Sequence, residues 1–130
     1  MNIYQENILD HYHNPRNFGS LPDNSNTLSL DNPSCGDSLT LSLALEKNTI
    51  TKITFTGSGC ALSIASTSIL TEYVKGKNIE EMTKFSKNDM IALLGIEVGP
   101  ARIKCALLAW EAVQKILHNV SEKNCNIHSL

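Results

Sequence analysis

This 130-residue chain has no block of lysine or arginine and no long apolar run. Its formal net charge is -2, which leaves no electrostatic footprint for nucleic acid or an anionic membrane surface. The longest apolar run, "CALLAW" at 105–110, is far too short to cross a bilayer. The opening "MNIYQENILD" has an early glutamate and lacks the apolar core of a secretory signal. These absences point to a soluble, cytoplasmic protein whose thiols stay reduced. Cysteine is scarce: four residues, at 35, 60, 105 and 125, with no Cys-x-x-Cys pair among them. A disulfide framework is therefore a poor reading, and metal binding or reactive-thiol chemistry the better one. There is also no internal repeat and no linker, so residues 1–130 read as a single domain, with a polar tail over 121–130 expected to fray.

What is present is 42% hydrophobic and 18% charged residues, an ordinary globular balance. "NIYQENILDHYHNPRN" predicts a short amphipathic helix, with Asn2 as N-cap and Asn14-Pro15 as stop. Residues 17–26 read as loop. "TLSLD" at 27–31 and "DSLTLSLALE" at 37–46 alternate leucine with small or polar residues, a period of two that predicts strands. Lys47-Asn48 is a turn, and the segment after it returns with Ile53 and Phe55 on one face, completing a hairpin.

Helical spacing takes over at Cys60, through Leu62, Ala65, Ile69, Tyr73 and Val74, with Gly76 as stop. Asn78 with Glu81, and Ser86 with Asp89, are capping-box starts of two short helices. Pro100 is expected at a first helical position. The long helix it introduces carries Ile103, Leu107, Trp110, Val113, Leu117 and Val120 as an apolar stripe. Strands followed by helices predict an α+β domain: a three-stranded antiparallel sheet with helices on one face.

The stretch "NPSCGDS" at 32–38 builds no core. It sets Cys35 on a turn, with Gly36 free to adopt angles other residues avoid and Asp37 two positions after the thiol. Cys60 follows "GSG" at a helix entry, and Cys105 lies early in the last helix beside Arg102 and Lys104. Helix N-termini and nearby cations favour thiolate, the form that binds soft metals or accepts sulfur. Three thiolates and the Asp37 carboxylate suit tetrahedral zinc, and the same thiolates can hold a [2Fe–2S] cluster. The carboxylate is the hard, displaceable donor of the set.

Competing readings stand beside each residue. Cys60 and Cys105 have apolar neighbours and can be read as small core residues, whereas the Cys35 turn has no core face. Asp37 can simply close its turn. Arg102 and Lys104 can be a solvated helix edge. His11 and His13 read as surface histidines, Cys125 as a bystander thiol, and His118 and His128 carry no role.

Four strings, "ILDHYHNPRNFG", "DNPSCGDSLTL", "FTGSGCALSIASTSILTE" and "PARIKCALLAWEA", together resemble the NifU/IscU/SufU family of iron–sulfur cluster assembly scaffolds. The likeness runs from Ile3 to about Leu117. It implies a small α+β scaffold with the metal or cluster site at one end of the sheet. Such a scaffold takes sulfur from a PLP-dependent cysteine desulfurase, assembles a transient [2Fe–2S] cluster from that sulfur and iron, and passes it to apo iron–sulfur proteins. It further implies that Cys35, Cys60 and Cys105 are the ligand and sulfur-acceptor cysteines. Asp37 would be the aspartate that tunes ligand exchange, and zinc a common occupant.

Two departures separate this chain from the housekeeping branch. Lys104 stands where that branch has histidine before the third cysteine. "IEVGPARIK" replaces the Leu-Pro-Pro-Val-Lys segment that recruits a dedicated Hsp70 chaperone, which weighs against that contact. "RIKCALLAW" and "DHYHNPRN" resemble the zinc-containing branch, whose members act largely as sulfur acceptors, but that branch's insertion between the second and third cysteines is absent. The alternatives are thus a zinc-dependent sulfurtransferase and, behind it, a structural zinc domain for protein contacts. A cysteine-nucleophile hydrolase is remote, since no histidine is placed as its base. The expected assembly is a monomer or weak oligomer.

Overall fold

Lys47 and Asn48 turn the chain back on itself with φ of 51° and 68°. Two consecutive left-handed residues are the requirement of a two-residue hairpin whose twist matches its strands. In the computed structural model, which describes residues 3–21, 26–32 and 36–128 and the side chains of these as far as Val120, this turn joins β2 (Asp37–Glu46) to β3 (Thr49–Ser58). β1 (Asn26–Asn32) pairs with the other side of β2, giving an antiparallel sheet in the order β1-β2-β3. The helices are α1 (Ile3–His13), α2 (Ala61–Val74), α3 (Ile79–Thr83), α4 (Lys87–Leu94) and α5 (Ile103–His128). The α+β architecture expected from the sequence is the one observed.

Register explains the alternation. Leu28 faces Leu41, which faces Phe55; Leu30 faces Leu39; Leu43 faces Ile53. This apolar side lies under the helices, α5 against β1 and β2 and α2 against β3. Burying each leucine in full contributes roughly 2 kcal/mol. The opposite side is a ladder of hydroxyls, with Thr27 bonded to Ser42 at 2.9 Å and Ser29 to Thr40 at 2.7 Å. The sequence period and the two-faced sheet are one fact.

Residues 17–19, expected as loop, do more. Phe55 donates its N–H to the Asn17 carbonyl at 2.9 Å and accepts from the Gly19 N–H at 2.8 Å, a parallel bridge along the outer edge of β3. At the other end of β3, Ile50 donates to the Lys77 carbonyl and accepts from Gly76, each at 2.8 Å. Part of the β3 edge, which would otherwise invite strand pairing, is thereby bonded.

Helix starts behave as their caps require. Ser86 and Asp89 form the full reciprocal capping box of α4, and the Asn78 side chain accepts from the Glu81 N–H at 2.8 Å. Asn2, expected to cap α1, lies outside the described residues. Pro100 does not open α5, which begins at Ile103. It sits instead in a turn closed by the Arg102 N–H on the Gly99 carbonyl at 3.0 Å, a tight bond that precedes the regular helix. α5 reaches His128 and so takes in most of the segment expected to fray.

His11 overturns its surface reading. It is 9% exposed, and its Nδ1 lies 2.7 Å from Ser68 Oγ, which also accepts the Arg16 N–H at 2.8 Å. With that N–H occupying a lone pair, the Ser68 hydroxyl is placed to donate to a neutral imidazole. Burial, and secondarily the Arg16 guanidinium, hold the His11 pKa below its ordinary 6.5, against the weaker pull of Asp10 and Glu72. The unfolded chain therefore takes up this proton first. Stability from this group is complete above about pH 6.5 and declines as pH falls from there toward the depressed folded value. His11→Gln should flatten the fall in melting temperature between pH 7 and 5.5; an unchanged pH profile would refute the assignment.

Candidate metal and sulfur site

Antiparallel pairing brings three strand ends together. β1 ends at Asn32 opposite Asp37, where β2 starts, and Ser38 stands opposite Ser58, where β3 ends. Two residues later Cys60 caps α2, and α5 delivers Cys105 on its first turn to the same end. Asp37, Cys60 and Cys105 each place one ligand atom, a carboxylate oxygen and two sulfurs, within 4.8 Å of one another.

The environment of each atom is specific. Cys60 has the extended backbone of an N-cap, and its Sγ accepts the Ser63 N–H at 3.4 Å. The helix end offers partial positive charge to an anion seated there. Cys60 is half-buried, while Cys105 is only 3% exposed. Asp37 is 2% exposed; its Oδ1 accepts the Cys60 N–H at 3.0 Å, and its Oδ2 is buried with no hydrogen-bond partner. One oxygen ties β2 to the start of α2 and the other is left without a hydrogen bond. A buried carboxylate oxygen without a partner costs on the order of several kcal/mol unless a cation or donor meets it.

Gly59 makes that approach possible. A Cβ there would lie 2.4 Å from Asp37 Oδ1 and 2.9 Å from its Cγ. Only hydrogen fits between the two residues. The sequence marked "GSG" as a helix approach without signalling this contact, which arises between residues 22 positions apart in the chain.

Gly36 is exposed with φ of 69°, the left-handed angle its turn requires. Cys35 lies outside the described residues, and so does the side chain of Cys125. Arg102 and Lys104 are both exposed. Lys104 sits about 100° around the helix from buried Cys105. Arg102 lines a cleft of about 290 Å³ with Ile8, Ala61, Leu62, Ile96 and Val98, beside the site rather than within the donor triad. No helix among the described residues is long and apolar enough to cross a membrane.

The donor set fits a soft divalent ion. Ligand atoms around tetrahedral zinc with bonds of about 2.0–2.3 Å stand roughly 3.5–3.8 Å apart, so a triad within 4.8 Å needs little contraction. The orphaned Oδ2 is the atom such an ion would satisfy.

Residues 3–126 match the family model of the NifU-like N-terminal domain. The chain is 39% identical over 130 aligned residues to the zinc-dependent sulfurtransferase SufU of Bacillus subtilis (strain 168), covering 87% of this chain and 88% of that protein. It is 38% identical over 124 residues to the iron-sulfur cluster assembly scaffold protein IscU of Haemophilus influenzae, covering 92% and 97%. Its structure superposes on that of FiSufU from Fervidobacterium islandicum AW-1 with a TM-score of 0.76 at 29% identity, over 86% of this chain and 94% of the other.

Proposed function

Because the chain belongs to the NifU-like N-terminal domain family, we propose that it is an iron–sulfur cluster assembly scaffold. It takes sulfur from a PLP-dependent cysteine desulfurase, assembles a transient [2Fe–2S] cluster as cargo and passes it to apo-proteins. The observation that carries this reading is the convergence of Asp37, Cys60 and Cys105 at one end of the sheet, with Asp37 Oδ2 buried and unpartnered. Cys35 completes the donor set in this reading, and residues 1–130 act as one domain.

Sulfur transfer needs a thiolate among Cys35, Cys60 and Cys105. It attacks the terminal sulfur of the desulfurase persulfide; a new S–S bond forms, the old one breaks, and the desulfurase cysteine leaves as thiolate. Of the two described thiols, Cys60 is the more accessible to a partner and Cys105 the less. Zinc, when bound, supplies a Lewis-acidic centre that holds the cysteines as thiolates. Asp37 fits the role of exchangeable ligand, because a hard oxygen is the weakest partner of a soft metal.

The second reading, a zinc-dependent sulfurtransferase, is favoured by the 39% identity to the Bacillus subtilis relative of that name. Lys104 in place of histidine supports it as well. Anaerobic reconstitution with a cysteine desulfurase, cysteine and ferrous iron separates the two. A visible iron–sulfur chromophore that transfers to an apo-ferredoxin is the expected result. Persulfide on the protein without a chromophore would establish the sulfurtransferase reading instead.

A further inference from the structure

Asn32 is the last residue of β1 and stands opposite Asp37 in the ladder, so both side chains lie on the same side of the sheet. It continues the inward row of Leu28 and Leu30 and is 7% exposed, under the helices. Its Nδ2 is buried without a hydrogen-bond partner. Across one rung of the ladder the structure therefore holds two orphans of opposite character, a donor on Asn32 and an acceptor on Asp37.

A buried amide N–H left without an acceptor costs about 1–3 kcal/mol, and an apolar residue in the same place would avoid that cost. The pair makes chemical sense together when a cation meets Asp37 Oδ2 and an anionic atom bound to that cation meets Asn32 Nδ2. In a site of cysteines, that anionic atom is sulfur. Donors to metal-bound ligands orient them and withdraw negative charge, which tunes affinity and exchange.

We propose that Asn32 is a positioning residue whose side-chain amide donates an N–H···S hydrogen bond to a metal-bound sulfur of the loaded site. The inference rests on the metal-site reading above. It assigns Asn32 no contact with the metal itself. The amide disperses the charge of one bound sulfur and so stabilises the loaded site.

Asn32→Leu, close to asparagine in size, and Asn32→Ala test this, the second in case leucine fails to pack. Zinc affinity by competition with a chromophoric chelator should fall about 10-fold in both. The sulfur-to-metal charge-transfer band of the cobalt(II)-substituted protein should move to lower energy. The metal-free melting temperature of Asn32→Leu should be unchanged or raised, so that the metal-induced rise shrinks. Equal losses in metal-free and loaded forms would mark Asn32 as merely structural and overturn the proposal, as would wild-type affinity and an unshifted band in both variants. A wild-type protein that takes up neither zinc nor cobalt would instead overturn the site reading, and this inference with it.

Discussion

Gly59→Ala is expected to lower zinc affinity by about 10- to 100-fold, the range seen when a ligand loses its support. The added methyl would lie 2.4 Å from Asp37 Oδ1, so the carboxylate must move. Moving it breaks the hydrogen bond from the Cys60 N–H and shifts the cap of α2 along with the sulfur that the cap carries. Loss of a hydrogen bond to a charged group costs about 2 kcal/mol, or roughly 6–10 °C in melting temperature. Gly76→Ala provides the contrast. Gly76 has φ of 82° and open space around its Cα, at the opposite end of β3. That substitution should cost about 1–2 kcal/mol through backbone strain and leave zinc affinity alone. Equal zinc affinities in wild type and Gly59→Ala would show that Asp37 is not a ligand held by this contact.

Stripping the metal is expected to lower the melting temperature by about 12–20 °C. The size follows from linkage: a ligand at 1,000 times its dissociation constant stabilises the folded state by about 4 kcal/mol. For a domain of this length each kcal/mol corresponds to roughly 3–5 °C. The structural cause is local. Without a cation, Asp37 keeps a buried oxygen unpartnered, and two sulfurs share the same small space. Thermal melts with excess zinc and with a strong chelator measure the difference directly. Coincident melting curves would remove the metal from any account of this fold.

Much of this arrangement was legible in the chain. The leucine alternation between 28 and 45 specified strands because one face of the sheet is buried and a slip of one residue would reverse every side chain. Ser86 with Asp89 specified a helix start because the two groups satisfy each other's backbone. Cys60 and Cys105 were marked by their place at helix entries and Asp37 by its turn, and these three are the residues that meet. Other features escaped. His11 looked like a surface residue because nothing local announces Ser68, 57 positions away, as its partner. The bridge of Phe18 to Phe55 escaped for the same reason: polar, glycine-containing sequence reads as loop whether or not it lies along a strand edge. Pro100 was misplaced by three residues, since a proline suits a turn ahead of a helix as well as its first position.

The amino-acid sequence alone determined the order and type of the elements, the two-sidedness of the sheet and which thiols and carboxylate meet at its end. All of these follow from periodicity and from the chemistry of single side chains. Only the tertiary structure decided that Asp37 gives one oxygen to a backbone amide and buries the other unpartnered, that Gly59 must be glycine, and that Asn32 shares the rung. Those facts depend on which distant backbones approach within a few ångströms, and no local pattern encodes a distance between residues that the chain itself holds far apart.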